Sequence, residues 1–254
     1  MDFCMKDEFF QSLIDALQAE NRKRHTADVP GEILEAFFGN VPKAAAAPQK
    51  MPQNTPAPRP AEPGAPAGSL AEIAAAISGC SRCRLCEKRT NPVPGEGNPD
   101  ADLMFIGEGP GADEDATGRP FVGAAGQLLD KMLAAIGLKR EQVYICNIVK
   151  CRPPSNRVPE GDERMACMGY LRQQVALVRP KVIVCLGSTP TRALLGDDMR
   201  ITRDRGVWQL RKGIWFIPTY HPAALLRDAD KKRPAWEDFK AIRDKLKELG
   251  VYPG

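Results

Sequence analysis

One stretch, LMFIGEGPGADEDATGRPFVG at residues 103–123, combines glycines and carboxylates in a way that suits catalysis. Its apolar start, residues 103–106, predicts a short buried strand, and the glycines that follow predict a tight loop that another molecule can approach closely. The acidic residues of the stretch are Glu108, Asp113, Glu114 and Asp115. A carboxylate in such a loop can orient water or stabilise a developing positive charge. The G-x-G-x-G spacing, the proline and the acids argue against a dinucleotide-binding loop.

The cysteines are a second set of residues that could do chemistry. Three of the eight share one short segment, CSRCRLC, and two more lie far downstream, in NIVKCRPP and ERMACMGY. These five are Cys80, Cys83, Cys86, Cys151 and Cys167. Clustered cysteines in a chain without a secretory signal indicate metal or redox chemistry rather than disulfides. Four thiolates in two pairs suit a tetrahedral zinc ion or a four-iron cluster, and spacing does not separate the two.

Apolar runs and helical periodicity predict the elements that must position these residues. Four strands are predicted, over residues 103–106, 143–148, 182–186 and 215–218. Helices are predicted over residues 70–77, 127–136, 160–178, 189–195 and 236–249. Because strands and helices alternate, the sequence predicts an α/β fold with a parallel sheet and helices on both faces. Cys146 and Cys185 fall inside predicted strands and are expected to be buried small hydrophobes.

Polar residues follow the predicted strands at their carboxyl ends. Glu108 follows the first strand, Asn147 lies near the end of the second, and His221 follows the fourth. The third strand is followed by Gly-Ser-Thr at residues 187–189, a helix start suited to a phosphate. Ligands of open parallel sheets bind beyond the carboxyl ends of the strands, so we expect these residues to converge on one edge.

The chain of 254 residues is predicted to have three parts. Residues 1–41 indicate a small helical appendage, which docks on the main domain or binds a protein partner. Residues 42–68 form a Pro/Ala-rich linker, which cannot bury a core. Residues 69–254 form the catalytic domain, which begins where Ser69 can cap a helix.

Charge and hydropathy narrow the class of protein. The net charge is +4, but residues 1–41 hold 4 basic and 8 acidic residues, so the remainder carries +8. A basic main domain suits a polyanionic partner such as nucleic acid. No apolar run is long enough to span a membrane, and the N-terminus lacks a secretory signal. A cytoplasmic location without a membrane partner is therefore expected.

Three motifs, GEGPGADEDATGRPFVG, NIVKCRPPSNR and TYHPAALLR, resemble those of the bacterial and archaeal family 4 uracil-DNA glycosylases. The resemblance covers roughly residues 79–249. It implies a three-layer α/β/α uracil-DNA glycosylase-like fold with a central four-stranded parallel sheet. It also implies a 4Fe-4S iron–sulfur cluster, which selects iron–sulfur over zinc. The implied cluster ligands are Cys80, Cys83, Cys151 and Cys167, with Cys86 as a competitor of Cys83.

The implied reaction is hydrolysis of the N-glycosidic bond of a deoxyuridine flipped out of DNA, which starts base excision repair. The implied uracil-binding residues are Glu108, Gly109, Glu114, Phe121, Asn147 and His221. Phe121 would stack on the uracil ring, and Asn147 would read its polar edge. His221 would donate a hydrogen bond to uracil O2 as negative charge develops there. Glu108 would hold the attacking water or stabilise the cationic sugar, and Glu114 would lie near uracil C5.

DNA contacts are expected from the third and fourth strand ends. Ser188 and Arg227 would contact phosphates. Leu225, or its neighbour Leu226, would be an apolar wedge in the vacated base stack. Four basic residues would add to the DNA-facing surface: Arg119, Lys150, Arg152 and Arg157. The expected partner is uracil-containing DNA, single- or double-stranded, bound by a monomer.

Three other interpretations stay open. The same fold could serve as a damage sensor that binds uracil in DNA without turnover, although the presence of both Glu108 and His221 favours catalysis. Some relatives act on other deaminated bases, and some form a covalent product through a histidine-containing loop that this sequence lacks after its first motif. The third interpretation is a zinc-dependent interaction protein that docks on a polymerase through residues 1–40.

Overall fold

The computed structural model describes residues 68–253. The predicted appendage at residues 1–41 and all but the last residue of the predicted linker lie outside the described residues. The first described helix begins where the sequence predicts a cap. The Glu72 amide donates a 3.2 Å hydrogen bond to the Ser69 hydroxyl, which satisfies one of the free amides of the helix start.

The described residues form six strands and eight α-helices. The strands are β1 (Glu96–Gly97), β2 (Leu103–Gly107), β3 (Tyr144–Asn147), β4 (Val182–Leu186), β5 (Gln209–Arg211) and β6 (Ile214–Thr219). The helices are α1 (Leu70–Ser78), α2 (Ala112–Thr117), α3 (Ala124–Ala135), α4 (Gly161–Val178), α5 (Ser188–Leu195), α6 (Ile201–Asp204), α7 (Pro222–Arg227) and α8 (Lys232–Glu248). Every strand and helix predicted within residues 68–253 is present, within a few residues of its predicted bounds.

The strands form one sheet in the order β1-β3-β2-β4-β6-β5. The four inner strands are parallel, and the two edge strands are antiparallel to their neighbours. The central four-stranded parallel sheet is therefore confirmed. The register pairs Gly107 with Asn147 and Leu186 with Thr219, so the carboxyl ends of the four inner strands lie along one edge.

Helices cover both faces of the sheet, as the alternation of elements predicts. Successive strand residues point to opposite faces. On one face Ile106 packs in a core with residues of α4 and α5, and on the other Phe105 packs with residues of α3 and α8. The Phe105 and Phe239 rings are stacked with centroids 6.0 Å apart. Burying an aromatic side chain in this way contributes about 1.5–3 kcal/mol.

Two strands and three helices were not predicted. Strands β1 and β5 have 2 and 3 residues, which is too short for a period-two pattern to be recognised. Helices α2, α6 and α7 have 6, 4 and 6 residues, and isolated helices of this length are not stable. Tertiary contacts that the local sequence does not encode hold these short elements in place.

Burial confirms the interpretation of two cysteines. Cys146 in β3 and Cys185 in β4 are both fully buried within the core. Across residues 68–253, no helix has the length and apolar composition that crossing a membrane requires.

Candidate active site

The carboxyl edge of the sheet brings an aromatic ring and an amide together over Gly107. A Cβ atom at Gly107 would lie 2.4 Å from Asn147 Oδ1 and 2.6 Å from Phe121 Cζ. These separations are below any normal contact, so only glycine allows both side chains this close to the end of β2. We call the group formed by Gly107, Glu108, Phe121, Asn147 and His221 the edge site.

Asn147 carries an unused hydrogen-bond acceptor. The residue is 1% exposed, and its Oδ1 atom has no hydrogen-bond partner among the described residues. Leaving a buried acceptor without a donor costs about 1–3 kcal/mol. Such a cost is sustained where a ligand supplies the missing donor. The backbone carbonyl of Asn147 is satisfied, since it accepts a 2.8 Å hydrogen bond from Lys150 Nζ.

Phe121 is held in a strained backbone conformation. Its φ angle is 51°, in the left-handed region that costs a residue with a side chain roughly 1–2 kcal/mol. Arg140 donates to the carbonyls of both Pro120 and Phe121, the latter at 3.1 Å. Gly126 allows α3 to approach, because a Cβ there would lie 1.9 Å from the Phe121 carbonyl oxygen. These contacts fix the Phe121 ring at the edge site, with its centroid 5.4 Å from that of His221.

The Glu114 carboxylate braces the loop that carries Phe121. It accepts hydrogen bonds from the backbone amides of Gly111, Val122 and Gly123 at 2.9–3.0 Å. Three backbone donors occupy both oxygens, so in this structure Glu114 acts on the loop. The buried Asp115 carboxylate accepts from the Thr90 amide at 3.0 Å and so also braces the chain.

Glu108 lies at the first position after β2, and its carboxylate reaches toward the start of α5. Its Oε2 atom accepts a hydrogen bond from the Thr189 hydroxyl. Its backbone carbonyl accepts from the Val149 amide at 3.2 Å, which anchors the loop to the chain after β3. Gly109 packs closely there, because a Cβ would lie 2.8 Å from Val149 Cγ2. The carboxylate is half-buried and so is accessible to a ligand at the edge site.

His221 is a neutral hydrogen-bond donor at the edge site. It precedes α7, and its Nδ1 atom accepts a 3.1 Å hydrogen bond from the Ala223 amide. Burial, with a smaller effect from the positive charge of Arg227, lowers the pKa of His221 from 6.5 to about 4, although Glu114 opposes the shift. The imidazole is therefore neutral at pH 7, and with Nδ1 as the acceptor its proton lies on Nε2.

The predicted DNA-contacting residues lie near His221, with one correction. A Cβ on Gly187 would lie 3.1 Å from the Cβ of His221, which places the exposed Ser188 beside the edge site. Leu225 is 2% exposed and packs inward from α7, so in this structure it is not positioned to be the wedge. Leu226 is 51% exposed and takes the outward position. Arg227 is exposed, as expected.

The predicted basic surface also needs correction at Lys150. Lys150 is 1% exposed, and its Nζ atom also donates to Gln174 Oε1 at 2.6 Å. It cannot reach a phosphate. Arg157 forms a two-bond ion pair with Glu163, at 2.6 and 2.8 Å, and Arg119 pairs with Glu96 at 2.8 Å. Sequence position alone does not reveal whether a basic side chain points to solvent or into the protein.

The four predicted cluster ligands and the alternative, Cys86, lie in one region. Cys151 and Cys167 are buried, and the other three cysteines are half-buried. Burial raises the pKa of Cys151, and the neighbouring thiols Cys83 and Cys80 raise it further. Burial raises the pKa of Cys167 to about 11, again with contributions from Cys151 and Cys83. The Arg89 guanidinium opposes these effects at Cys151, where it donates to Sγ at 3.0 Å. The thiols are therefore close enough to affect one another's pKa values.

No three His, Cys, Asp or Glu side chains within residues 68–253 are arranged to hold a metal ion. Ion pairs hold the surrounding chain together. Glu163, near the start of α4, accepts from Arg157 and, at 2.8 Å, from Arg84. Arg84 directly follows Cys83, so this network ties the first cysteine segment to the helix that carries Cys167.

Thr189 and Arg89 are the two site residues whose contacts sequence reasoning missed. Thr189 stands in the Gly-Ser-Thr segment noted for phosphate binding, but its partner is a carboxylate. Strands β2 and β4 are adjacent, so residues just after their carboxyl ends are neighbours. The pairing of these strands could therefore have predicted the contact between Thr189 and Glu108. Nothing in the local sequence of Arg89 indicated a contact with a thiol 62 positions away.

Comparisons with known proteins identify the family. Residues 94–242 match the uracil DNA glycosylase superfamily. The type-4 uracil-DNA glycosylase of Sulfurisphaera tokodaii is 48% identical over 194 residues, which cover 73% of this chain and 86% of that protein. The type-4 enzymes of Thermotoga maritima and Archaeoglobus fulgidus are each 45% identical, over 68% of this chain and 93% and 92% of their own lengths. The chain thus belongs to the uracil-DNA glycosylase superfamily and, within it, to the type-4 family.

Proposed function

We propose that this protein removes uracil from DNA by hydrolysing the N-glycosidic bond of a flipped deoxyuridine, which starts base excision repair. The observation that carries the proposal is the unpaired, buried Asn147 Oδ1 beside the Phe121 ring. Uracil offers an N–H donor at N3 and a flat π-face, so it complements both groups. The names of the type-4 relatives agree with this assignment.

Base selection follows from the polar atoms of Asn147. Its Oδ1 accepts from uracil N3–H, and its amide nitrogen donates to uracil O4. Cytosine presents the opposite pattern, with an acceptor at N3 and a donor at N4, so both contacts would be lost. A site built around specific hydrogen bonds rejects the wrong base strongly, because the buried groups would be left unpaired.

The reaction breaks the bond between C1′ of the sugar and N1 of uracil. The bonding electrons leave with uracil as its N1 anion, a water oxygen forms the new bond to C1′, and the proton that this water loses neutralises the uracil anion. His221 donates its Nε2–H to uracil O2 and so stabilises the negative charge that develops there. A neutral donor can do this without transferring its proton. Glu108 orients the water or stabilises the cationic sugar with its carboxylate.

DNA is held around the flipped nucleotide. Ser188, at the exposed start of α5, and Arg227, at the end of α7, contact phosphates. Leu226 enters the space that the flipped base leaves in the stack, since it is the exposed leucine of α7. Unstacking costs a few kcal/mol, which this apolar contact partly offsets.

A 4Fe-4S cluster held by Cys80, Cys83, Cys151 and Cys167 is part of the proposal. The donor set suits it, because Cys83, Cys151 and Cys167 pack in one cluster, and Cys80 is close enough to Cys151 to raise the pKa of that thiol. Within residues 68–253 no trio of ligands is arranged for a single ion. A four-iron cluster is larger than one ion and takes ligands that stand farther apart. When bound, it would cross-link the segment before β1 to the chain after β3 and to α4. Cys86 is the alternative to Cys83.

The test is excision from a labelled oligonucleotide that carries one uracil, with thymine and cytosine oligonucleotides as controls. Anaerobically purified protein is used, and alkali reveals abasic sites. We expect cleavage at uracil only. Binding to the uracil oligonucleotide without cleavage, by protein that contains iron and sulfide in stoichiometric amounts, would contradict the proposal and favour the damage-sensor interpretation. Stoichiometric zinc in colourless protein would contradict the cluster.

Three sequence-based expectations complete the proposal. The protein is expected to act as a monomer, in the cytoplasm, and to contact a protein partner through residues 1–41. Size-exclusion chromatography with light scattering tests the first. Pull-down with wild type and a chain lacking residues 1–41 tests the third.

A further inference from the structure

A buried hydroxyl contacts the proposed catalytic carboxylate. Thr189 Oγ1 donates to Glu108 Oε2, and it is the one side-chain donor to this carboxylate among the described residues. Thr189 is 6% exposed, so it presents little surface to solvent or to DNA. It is the second residue of α5, and the strand before it, β4, is the sheet neighbour of β2, which ends just before Glu108.

We propose that Thr189 is a positioning residue for Glu108. Its hydroxyl binds one carboxylate oxygen and leaves the other free toward the attacking water and the sugar. The proposal rests on the proposed function, because it assigns Glu108 the role given there. Ser188, one position earlier, is exposed and is proposed above to contact phosphate, so two adjacent residues of α5 would serve DNA binding and catalysis separately.

The arrangement provides preorganisation that a lone glutamate lacks. A free Glu side chain has three rotatable bonds, and fixing it costs up to about 1.5–2 kcal/mol of conformational entropy. Thr is β-branched and has few χ1 states in a helix, so its hydroxyl has a defined direction. When such a donor already holds the carboxylate, less conformational entropy is lost as the transition state forms. Misplacing a catalytic group by a small distance can cost a hundredfold in rate.

The alternative is that Thr189 only fills space beneath α5. The chain offers a matched control for that alternative. Thr191 lies two positions further along the same helix, is also buried, and donates to the Gly187 carbonyl at 2.7 Å. Thr191→Val removes a buried hydroxyl from the same helix without touching Glu108. Thr189→Val removes the donor at nearly constant shape, and Thr189→Ser keeps the donor.

The experiment measures the single-turnover rate of uracil excision and, separately, the affinity for uracil-containing DNA. We expect Thr189→Val to slow excision by about tenfold to a hundredfold while DNA affinity changes by less than about twofold. Thr189→Ser should keep most of the rate, and Thr191→Val should change it little. In an E108Q background, Thr189→Val should cause no further loss, because the two residues act as one unit.

Each outcome decides the question. An unchanged rate in Thr189→Val, an equal loss in Thr189→Ser, or losses that multiply with E108Q would overturn the inference. Circular dichroism and thermal unfolding identify a variant that fails to fold, and Thr189→Ala, tested in the same double-mutant cycle, then replaces Thr189→Val. If the wild-type protein itself releases no uracil, the proposed function fails, whatever the Thr189 variants show.

Discussion

The edge site and the cysteine region differ in whether their buried polar groups have hydrogen-bond partners. At the edge site, Asn147 Oδ1 is buried without a partner, and Phe121 is held in a strained conformation. In the cysteine region, the fully buried side chain of Glu163 accepts from Arg157, Arg84 and the Glu160 amide. Each of these bonds is 2.6–2.8 Å long.

This difference distinguishes polar groups that serve ligand binding from polar groups that stabilise the fold. An unpaired acceptor destabilises the free protein but gives a ligand a strong contact, so it belongs where a ligand binds. A complete network leaves nothing for a ligand and instead joins chain segments that are distant in sequence. Arg84 and Glu163 are 79 positions apart, and their bond connects the first cysteine segment to α4. Changes in the two regions should therefore affect different measurements.

The largest effect is expected from Asn147→Ala. Uracil loses its edge contacts, so the single-turnover rate should fall by about a thousandfold or more. The free energy of unfolding should not fall by more than about 1 kcal/mol, because Oδ1 has no hydrogen bond to lose and the cost of burying it unpaired is removed. Excision assays and urea denaturation measure the two quantities.

Asn91→Ala is the matched control for that experiment. The Asn91 amide is satisfied, since it donates to the carbonyls of Asp115 and Ala116 at 2.9 and 3.0 Å. It should lose stability by about 1 kcal/mol and keep most of its activity. If Asn147→Ala destabilises the protein more than Asn91→Ala does, the Asn147 side chain stabilises the fold, and it is not kept unpaired for a ligand.

The second prediction concerns Glu163→Gln. A neutral amide keeps the shape but cannot sustain ion pairs to two arginines, so we expect a loss of about 1–3 kcal/mol in unfolding free energy. The loss is moderate because the arginine side chains are 48% and 33% exposed and can be solvated. Uracil excision at 25 °C should stay near wild type while the protein is folded.

The control is Glu237→Gln, which breaks the exposed pair with Lys240. A surface pair of this kind contributes about 0–1 kcal/mol. Equal stability of the two variants would show that the Glu163 network does not hold the cysteine region together. A faster loss of visible absorbance in Glu163→Gln on addition of chelator would connect the network to the cluster.

The third prediction is that the two regions change the free energy of unfolding in different pH ranges. The pKa of His221 is about 4 in the folded protein and 6.5 ordinarily, so only the unfolded chain binds this proton between those values. Unfolding free energy should therefore fall as pH drops from 6.5 to 4. The pKa of Glu163 is about 2 instead of 4.5, so its stabilising contribution, present above pH 4.5, is lost between pH 4.5 and 2.

Urea denaturation at stepped pH checks both windows. His221→Asn should flatten the dependence between pH 6.5 and 4, and Glu163→Gln should flatten it between pH 4.5 and 2. His25→Asn is the control, since it removes the chain's other histidine. A wild-type slope in His221→Asn above pH 4 would contradict the assignment of a neutral imidazole whose pKa is lowered in the folded protein.

The sequence predicted the sheet well because its inner strands are continuous apolar runs. It also placed Glu108, Asn147 and His221 at one edge, because carboxyl ends of parallel strands meet there. It could not predict the left-handed conformation of Phe121, which depends on Arg140 and Gly126 packing from α3 and beyond. Conformations and pairings of this kind are set by tertiary contacts.

The two leucines of α7 show the same limit at the level of a single side chain. Leu225 and Leu226 are adjacent and chemically alike, so composition cannot say which faces the core. The answer depends on how α7 sits against α3 and the end of β6, which is a property of the assembled fold. In the structure, Leu225 faces the interior and Leu226 faces solvent.

The smallest effect is therefore expected from Leu226→Ala. Loss of the wedge should slow excision from double-stranded DNA by about threefold to tenfold, because flipping then costs a little more. Single-stranded DNA needs less unstacking, so its excision rate should change less, and the stability should not change. Leu225→Ala should do the reverse, with a loss of about 2–5 kcal/mol in unfolding free energy from a buried cavity. If Leu225→Ala, still folded, were the variant that selectively slowed excision from duplex DNA, the inward leucine would be the wedge after all, and α7 would have to rotate on binding DNA.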